Sequence, residues 1–404
     1  MPHRLHTYQN KQEHLLVGVM SGTSLDGIDT ALVQIMTDDK GEISTVNLKA
    51  FEYTPYSEEL RKRLLNLCSI ETAQLDELVE TNFGLAEWYA FAVNKLLTSS
   101  GTAPGEIDAI CCHGQTVWHA PKPSAFPGPE GVVKVKSTLQ IGSGPVLAER
   151  TGIPVISDFR SRDMAAGGEG APLVPYVDRA LFQSQTKGRV LQNIGGIGNA
   201  TILPPKDSDQ EVFAFDTGPG NMVIDTLVYL QTNGTQKYDY NGDIAATGII
   251  NVDLLNLFLQ DNYYQLSPPK STGREVYGLA FANRFLAEGK NRNLSFPDIL
   301  ATATALTAKS ITQSYQQFIF PTIDIAEVIL SGGGTHNKTL ISMIKQGLPA
   351  AVSVKTTAEF GVPDDAKEAL AFAILGHETL MGRPSNLPSV TGASRPVVLG
   401  NLSF

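Results

Sequence analysis

Apolar residues gather into short runs near the start of the chain. Leu15–Met20 and Ile28–Val33 are two β-type runs, and the polar, glycine-bearing stretch Ser21–Gly27 (SGTSLDG) separates them. Two apolar runs joined by a short polar tip predict a β-hairpin. Ile43–Tyr53 reads as a further strand. Ser57 opens a helical stretch to Cys68, with Leu60, Leu64, Leu65 and Leu67 at helical spacing, and Thr72–Leu97 predicts one or two long helices. Ile107–Cys112 is a short buried strand ending on His113-Gly114-Gln115-Thr116. Ala120–Gly131, with four prolines, reads as an exposed loop. Leu139–Ile141 and Val155–Ser157 return to strand, with a helix over Gly144–Arg150 between them. A second hairpin follows: Arg189–Ile194 and Ala200–Leu203 flank the turn NIGGIGN. Val212–Phe215 is a strand that ends on Asp216, Met222–Leu230 and Ile299–Phe318 are helices, and Glu327–Leu330 is a strand feeding Gly332-Gly333-Gly334. Ala366–Leu380 is a helix near the C-terminus. Strands alternating with helices predict an α/β fold. No short repeat is present, but the hairpin with a glycine-bearing turn recurs once per half.

The chain has 404 residues, too many for one ordinary core, so two domains are expected. A net charge of −10 disfavours a general nucleic-acid binder, which needs a basic surface. Three cysteines, two of them vicinal (Cys111 and Cys112), argue against a disulfide framework and fit a reducing, cytoplasmic setting. No C-x-x-C or H-E-x-x-H spacing suggests zinc. The polar N-terminus does not read as a secretory signal, and no apolar run is long enough to span a membrane.

Candidate chemistry lies on the turns. Ser21, Gly22, Thr23, Ser24, Leu25, Asp26, Gly27 and Ile28 offer backbone N–H groups, three hydroxyls and a carboxylate at one point, suited to phosphate oxygens and Mg²⁺. An ordinary hairpin turn has the same look. Gly195 and Gly196 admit close approach of an anion to backbone, and also suit a bulged hairpin. Gly332, Gly333 and Gly334 suit adenosine lying flat on backbone, or a helix-entry turn. Three such loops together suggest a nucleotide held between two domains. The chain has neither G-x-x-x-x-G-K-[ST] nor a Rossmann G-x-G-x-x-G opening a βαβ unit. Asp216, at a strand end, is either a cleft carboxylate able to accept a proton or a cap for the helix at Met222. His113 and Gln115 suit sugar hydroxyls or a polar turn. Arg160, Arg162 and Asp163 suit a polar ligand or one another. Glu368, by pattern alone, is a solvated helix residue.

Taken together, GVMSGTSLDGIDTALV, CHGQT, LQIGSG, DFRSRDMAAGGEGAPLVPYVDRALF, NIGGIGNAT, FDTGPGNMVIDTL, PKSTGRE, LSGGGTHN and DDAKEALAFAIL resemble the anhydro-N-acetylmuramic acid kinase family, over Gly18 to about Leu375. The resemblance implies a two-domain, actin-like, hexokinase-type ATPase fold with an interdomain cleft. The expected division is residues 1–155 plus about 380–404 for the first domain and 156–379 for the second. It implies ATP and Mg²⁺, with Asp26 organising the ion, Asp216 as general base, and His113, Gln115, Arg160, Asp163 and Glu368 on the sugar. It further implies a likeness to enzymes that open 1,6-anhydro-N-acetylmuramic acid and phosphorylate its O6 during cell-wall recycling, working as homodimers with no nucleic-acid or membrane partner. Ser143 stands where asparagine is often found in the family, Ser161 where some members carry arginine, and the stretch 120–136 is longer than in shorter members. The competing expectations are a kinase for another anhydro sugar such as levoglucosan, a glycoside hydrolase using Asp216 and Glu368, and a non-catalytic ATP-binding sensor.

Overall fold

The computed structural model describes residues 2–404. Its strands are β1 (Glu13–Ser21), β2 (Gly27–Thr37), β3 (Ile43–Pro55), β4 (Ala109–Gly128), β5 (Gly131–Ile141), β6 (Val155–Ser157), β7 (Gly188–Ile194), β8 (Ile197–Leu203), β9 (Phe213–Pro219), β10 (Ile325–Ser331), β11 (Ser353–Thr356) and β12 (Asn401–Ser403). The chain divides into two compact units, Met1–Leu181 with Gly361–Phe404, and Phe182–Phe360. No helix among the described residues is long and apolar enough to cross a membrane.

The first unit is built on the sheet β12-β6-β4-β1-β2-β3, with β5 paired to β4. Strands β1, β2 and β3 form an antiparallel meander, and β4 and β6 add to it in parallel. The second unit is built on β11-β10-β7-β8-β9, where β7, β8 and β9 are the meander and β10 and β11 the parallel additions. Counted within each unit, both sheets begin from the third meander strand with the order three-two-one-four. The repeated hairpin of the sequence is thus part of a repeated sheet. Parallel additions require crossovers, which helical stretches supply in both units.

Both faces of β1 are covered, which is why its central run Leu15–Met20 has no polar side chain. Val17 and Val19 pack in a core with Leu85, Tyr89, Val93 and Leu96 of the helix Leu75–Ser100. Gly18, pointing the other way, faces the helix Lys367–Leu380 so closely that a Cβ would lie 1.8 Å from the Ala369 carbonyl oxygen. In the second unit the helix Phe296–Phe318 is buried along most of its length. Ile311 and Tyr315 join the core of β7, β8 and β10, and Ile299 and Leu306 join a second cluster with Leu227 and Phe285. Its buried Thr304, Thr312 and Ser314 turn their hydroxyls back onto carbonyls four residues earlier, so helical polarity is satisfied inside the core.

Several expectations are corrected. The proline-rich stretch 120–131 is the far end of the β4–β5 hairpin, not a loop. The ladder jumps from Ala120 to Ser124, which places Pro121 and Pro123 at a bulge where no ladder N–H is needed. Thr72–Leu97 resolves into one helix starting at Leu75, and β9 runs on through Asp216 to Pro219. Residues 156–181 and 361–379 belong with the first unit, not the second. They do so because β6 pairs with β4, and because Gly376 as well as Gly18 lets the helix Lys367–Leu380 settle onto β1 and β4.

Candidate active site

In the first unit, the β1–β2 tip, the end of β4, Arg160 and Glu368 line a cavity of about 400 Å³, walled by Met20, Ser21, Gly22, Thr23, Ser24, His113, Thr116, Arg160 and Glu368. The tip is held from several sides. Leu25 takes a left-handed φ of 54° with its side chain buried, and its N–H reaches the Gly22 carbonyl at 3.3 Å. Ser24 Oγ donates to Asp26 Oδ1 at 2.7 Å, and the Gln115 amide donates to the Gly22 carbonyl at 2.9 Å. The Ser21 hydroxyl lies 2.6 Å from the Tyr89 hydroxyl in the core, so of Ser21 mainly the backbone remains for a ligand. Gly27 is required by packing: a Cβ there would come within 2.5 Å of the Thr54 carbonyl oxygen. Gly22 has open space, its nearest atom standing 3.7 Å from a would-be Cβ.

His113, Arg160 and Glu368 form a chain of interactions along the cavity. Arg160 Nε donates to His113 Nε2 at 2.9 Å, and Arg160 Nη1 donates to the Gly170 carbonyl at 2.8 Å. Burial, then the neighbouring Arg160 charge, pulls His113 down to about 3, so it is a neutral imidazole with its proton on Nδ1. Nδ1 and Gln115 Oε1 are both buried without a protein partner, one donor and one acceptor left over. Burial lowers Arg160 to about 10, and Glu368 offsets part of that cost. Glu368 is exposed where it lines the cavity, yet desolvation by the protein around its carboxyl raises it, opposed by Lys367 and Arg160. Lys367 itself pairs with buried Asp178 at 2.9 Å.

Asp163 stands apart from the cavity wall. Its Oδ1 accepts from Asn386 and Thr391, both at 2.7 Å, and its Oδ2 accepts from the Gly170 N–H at 2.8 Å. Oδ2 thus holds the turn whose Gly170 carbonyl accepts from Arg160, and Oδ1 ties it to Asn386 and Thr391. Asp29 of β2 pairs with the cavity-lining Met20 of β1, and burial and the charges of Asp26, Glu368 and Asp365 push its carboxyl up to about 7.

In the second unit, the β7–β8 turn and the Gly332–Gly334 loop come together. Gly332, at φ 84°, would place a Cβ 2.6 Å from Asn193 Oδ1, and Gly334 one 2.3 Å from Ile194 Cγ2. The turn is pinned to the start of the helix Met222–Gln231 by Asn221 N–H to Gly195 O at 2.7 Å and Gly220 N–H to Gly196 O at 2.9 Å. Gly195 and Gly333 have no atom nearer than 3.6 Å to a would-be Cβ. Each of the three glycine loops therefore carries one glycine that packing does not require.

Asp216 lies on β9 and is not a helix cap; Asn221 takes that position. Thr272 N–H donates to its Oδ2 at 2.9 Å, and Oδ1 has no protein partner among the described residues. Burial raises its carboxyl to about 6, opposed by the Thr272 N–H and assisted by Glu275. A carboxylate with one oxygen fixed, one free and a pKa near neutrality is equipped to accept a proton. Neither Thr272, Lys270 nor Tyr263, which surround it, carried a role in the sequence reading, although PKSTGRE contains two of the three.

Residues 14–404 match the model of a family described as anhydro-N-acetylmuramic acid kinase. A protein of that name from Caldanaerobacter subterraneus is 46% identical over 401 residues, 99% of this chain and 100% of its own length. Proteins of the same name from Bacillus cereus and Salinibacter ruber are 46% and 43% identical, covering 96% and 97% of this chain and 99% and 97% of their own. Among solved structures, the (R)-2-hydroxyglutaryl-CoA dehydratase component A of Acidaminococcus fermentans gives a TM-score of 0.43 at 12% identity, covering 92% of this chain and 99% of that one. The sequence matches, not this distant likeness, carry the assignment.

Proposed function

This chain belongs to the anhydro-N-acetylmuramic acid kinase family, and on that premise we propose that it opens the 1,6-anhydro ring of 1,6-anhydro-N-acetylmuramic acid and phosphorylates O6 at the expense of ATP. Water attacks C1, the C1–O6 bond breaks, and O6 takes the γ-phosphoryl group. The products are N-acetylmuramic acid 6-phosphate and ADP. Asp216 accepts the proton of the attacking water through its free Oδ1. Phosphoryl transfer to O6 replaces the general acid that a glycosidase needs.

The remaining roles follow from the local chemistry. In the first unit, His113 offers Nδ1–H and Gln115 offers Oε1 to sugar hydroxyls, and Glu368 accepts from the ring substituents. Arg160, whose Nε and Nη1 are already engaged, keeps its second amino group for the lactyl carboxylate. Asp163 supports this indirectly, through the Gly170 turn. Ser21–Ile28, Gly195 and Gly196 are read as phosphate contacts, and Gly332–Gly334 as the adenosine contact. Asp26 is the residue for Mg²⁺, directly or through water. The described residues hold no cluster of three or more His, Cys, Asp or Glu suited to a metal, so such an ion would draw most of its ligands from phosphates and water. Bound there, it would neutralise phosphate charge.

The observation that carries this reading is the half-fixed carboxylate of Asp216. The test is an ATP-coupled assay with 1,6-anhydro-N-acetylmuramic acid, levoglucosan and N-acetylmuramic acid, with mass analysis of products. Phosphate on an opened muramic sugar, and no reaction of the already open one, is expected. Asp216→Asn should keep ATP and sugar binding by calorimetry while turnover drops about 1,000-fold or more. Near-normal turnover in that variant would remove Asp216 from the role.

A further inference from the structure

The segment PKSTGRE, Pro269–Glu275, holds a lysine in an unusual setting. Lys270 is 8% exposed, and no carboxylate pairs with it among the described residues. Its ammonium donates to the carbonyls of Tyr263 and Tyr264 at 3.2 and 3.5 Å. Three rings surround it: Phe318, Tyr263 and Phe215, with centroids at 4.7, 4.8 and 5.8 Å. A buried cation is costly unless carbonyls and aromatic faces replace its water. Here they do so only in part, since desolvation pulls its pKa down to about 8. A residue that merely filled this space would be apolar.

This segment and the neighbouring Tyr263 grip Asp216 at three points. Asp216 N–H donates to the Lys270 carbonyl at 3.1 Å, Tyr263 Oη donates to the Asp216 carbonyl at 2.7 Å, and Thr272 N–H donates to Asp216 Oδ2 at 2.9 Å. All three partners lie between residues 263 and 272, and the Lys270 ammonium fastens the two ends of that stretch by reaching back to Tyr263 and Tyr264. We propose that Lys270 is the positioning residue for Asp216: its caged ammonium sets the loop whose backbone aims the carboxylate. This rests on the reading of Asp216 as general base. The proton affinity of Asp216 is set by burial, the Thr272 N–H and Glu275, so Lys270 acts on it through the backbone and not by its own charge.

Lys270→Met separates the two explanations, because methionine fills the cage but donates nothing to the carbonyls. If Lys270 only packs, the variant is as active as the parent. If it positions, kcat falls about 100-fold, as expected for a displaced reacting group, while KM for ATP and for the sugar stays within about threefold. Loss of the Thr272 hydrogen bond also raises the Asp216 carboxyl titration, followed by ¹³C NMR against Asp216→Asn, by up to about one unit. In Lys270→Ala, n-propylammonium should restore part of the turnover and n-propanol none. Full activity in Lys270→Met, or a loss with an unmoved Asp216 titration and no rescue by the amine, overturns the proposal. Should neither variant fold, Phe318→Leu removes one wall of the cage, and a smaller change in the same direction is expected. If Asp216→Asn retains normal turnover, the base reading fails, and the carboxyl titration in Lys270→Met still decides whether the lysine holds it.

Discussion

Asp216 retains its proton up to about pH 6 because its carboxylate is partly removed from water and feels the negative charge of Glu275, with only the Thr272 N–H favouring the charged form. A base must be ionised to act, so kcat is expected to rise with pH through about 6 and level off above it. A pH–rate profile with no limb there would contradict the assignment. The same shift has a stability cost. Between the ordinary carboxylate range and about pH 6 the folded chain holds a proton that the unfolded chain has released, so this group's contribution to stability falls as pH rises across that window. Asp216→Asn should therefore melt higher than the parent at pH 7.5 and show little gain at pH 4, by calorimetry. At this scale the sequence exposed the carboxylates and glycines but not their surroundings. Glu368 is exposed, as its polar helix position suggests, but it also lines the cavity beside Arg160, a residue more than two hundred positions away in the chain. Asp29 is one polar position in the apolar strand β2, and besides burial the charges that perturb it come from Asp26, Glu368 and Asp365.

Strands and helices were read best where one physical cause dominated. β1, β2, β7 and β8 follow apolar runs broken by turn residues, and Ser57 caps its helix as its position suggested, accepting from the Leu60 N–H. At 120–131 four prolines have the composition of a loop, yet a hairpin with a bulge tolerates them. Glycines, equally informative as punctuation, divide once the structure is known into those needed by packing and those left open. Gly18→Ala sets a methyl against the backbone of the helix Lys367–Leu380, and a loss of about 1–3 kcal/mol is expected on denaturant unfolding. Gly195→Ala meets nothing closer than 3.6 Å, so its stability should match the parent while ATP affinity, by calorimetry, drops about tenfold if that space admits phosphate. Equal ATP affinity in Gly195→Ala would take the β7–β8 turn out of the nucleotide site.

On the scale of the whole chain, the α/β character and the repeated hairpin were legible, but the unit boundary was not. It depends on which strand β6 joins and where the helix Lys367–Leu380 lies, and neither is a local property. The second unit, Phe182–Phe360, is one uninterrupted stretch with its own sheet and core. The first is assembled from two stretches, and its helix Lys367–Leu380 and strand β12 come from the second of them. A chain ending at residue 360 should therefore keep a folded second unit and lose the first. Limited proteolysis is expected to leave a resistant fragment beginning near residue 182, and survival of residues 13–157 as a resistant body would refute this. The divided first unit also bears on synthesis. A ribosome delivers β1, β2, β3 and β4 early, yet Gly18 and Gly376 show that their second apolar face waits for a helix that follows only after the whole second unit. The later-encoded unit can close while the earlier one stands open. For much of translation this protein presents to its cell an unfinished sheet, the kind of surface that chaperones hold.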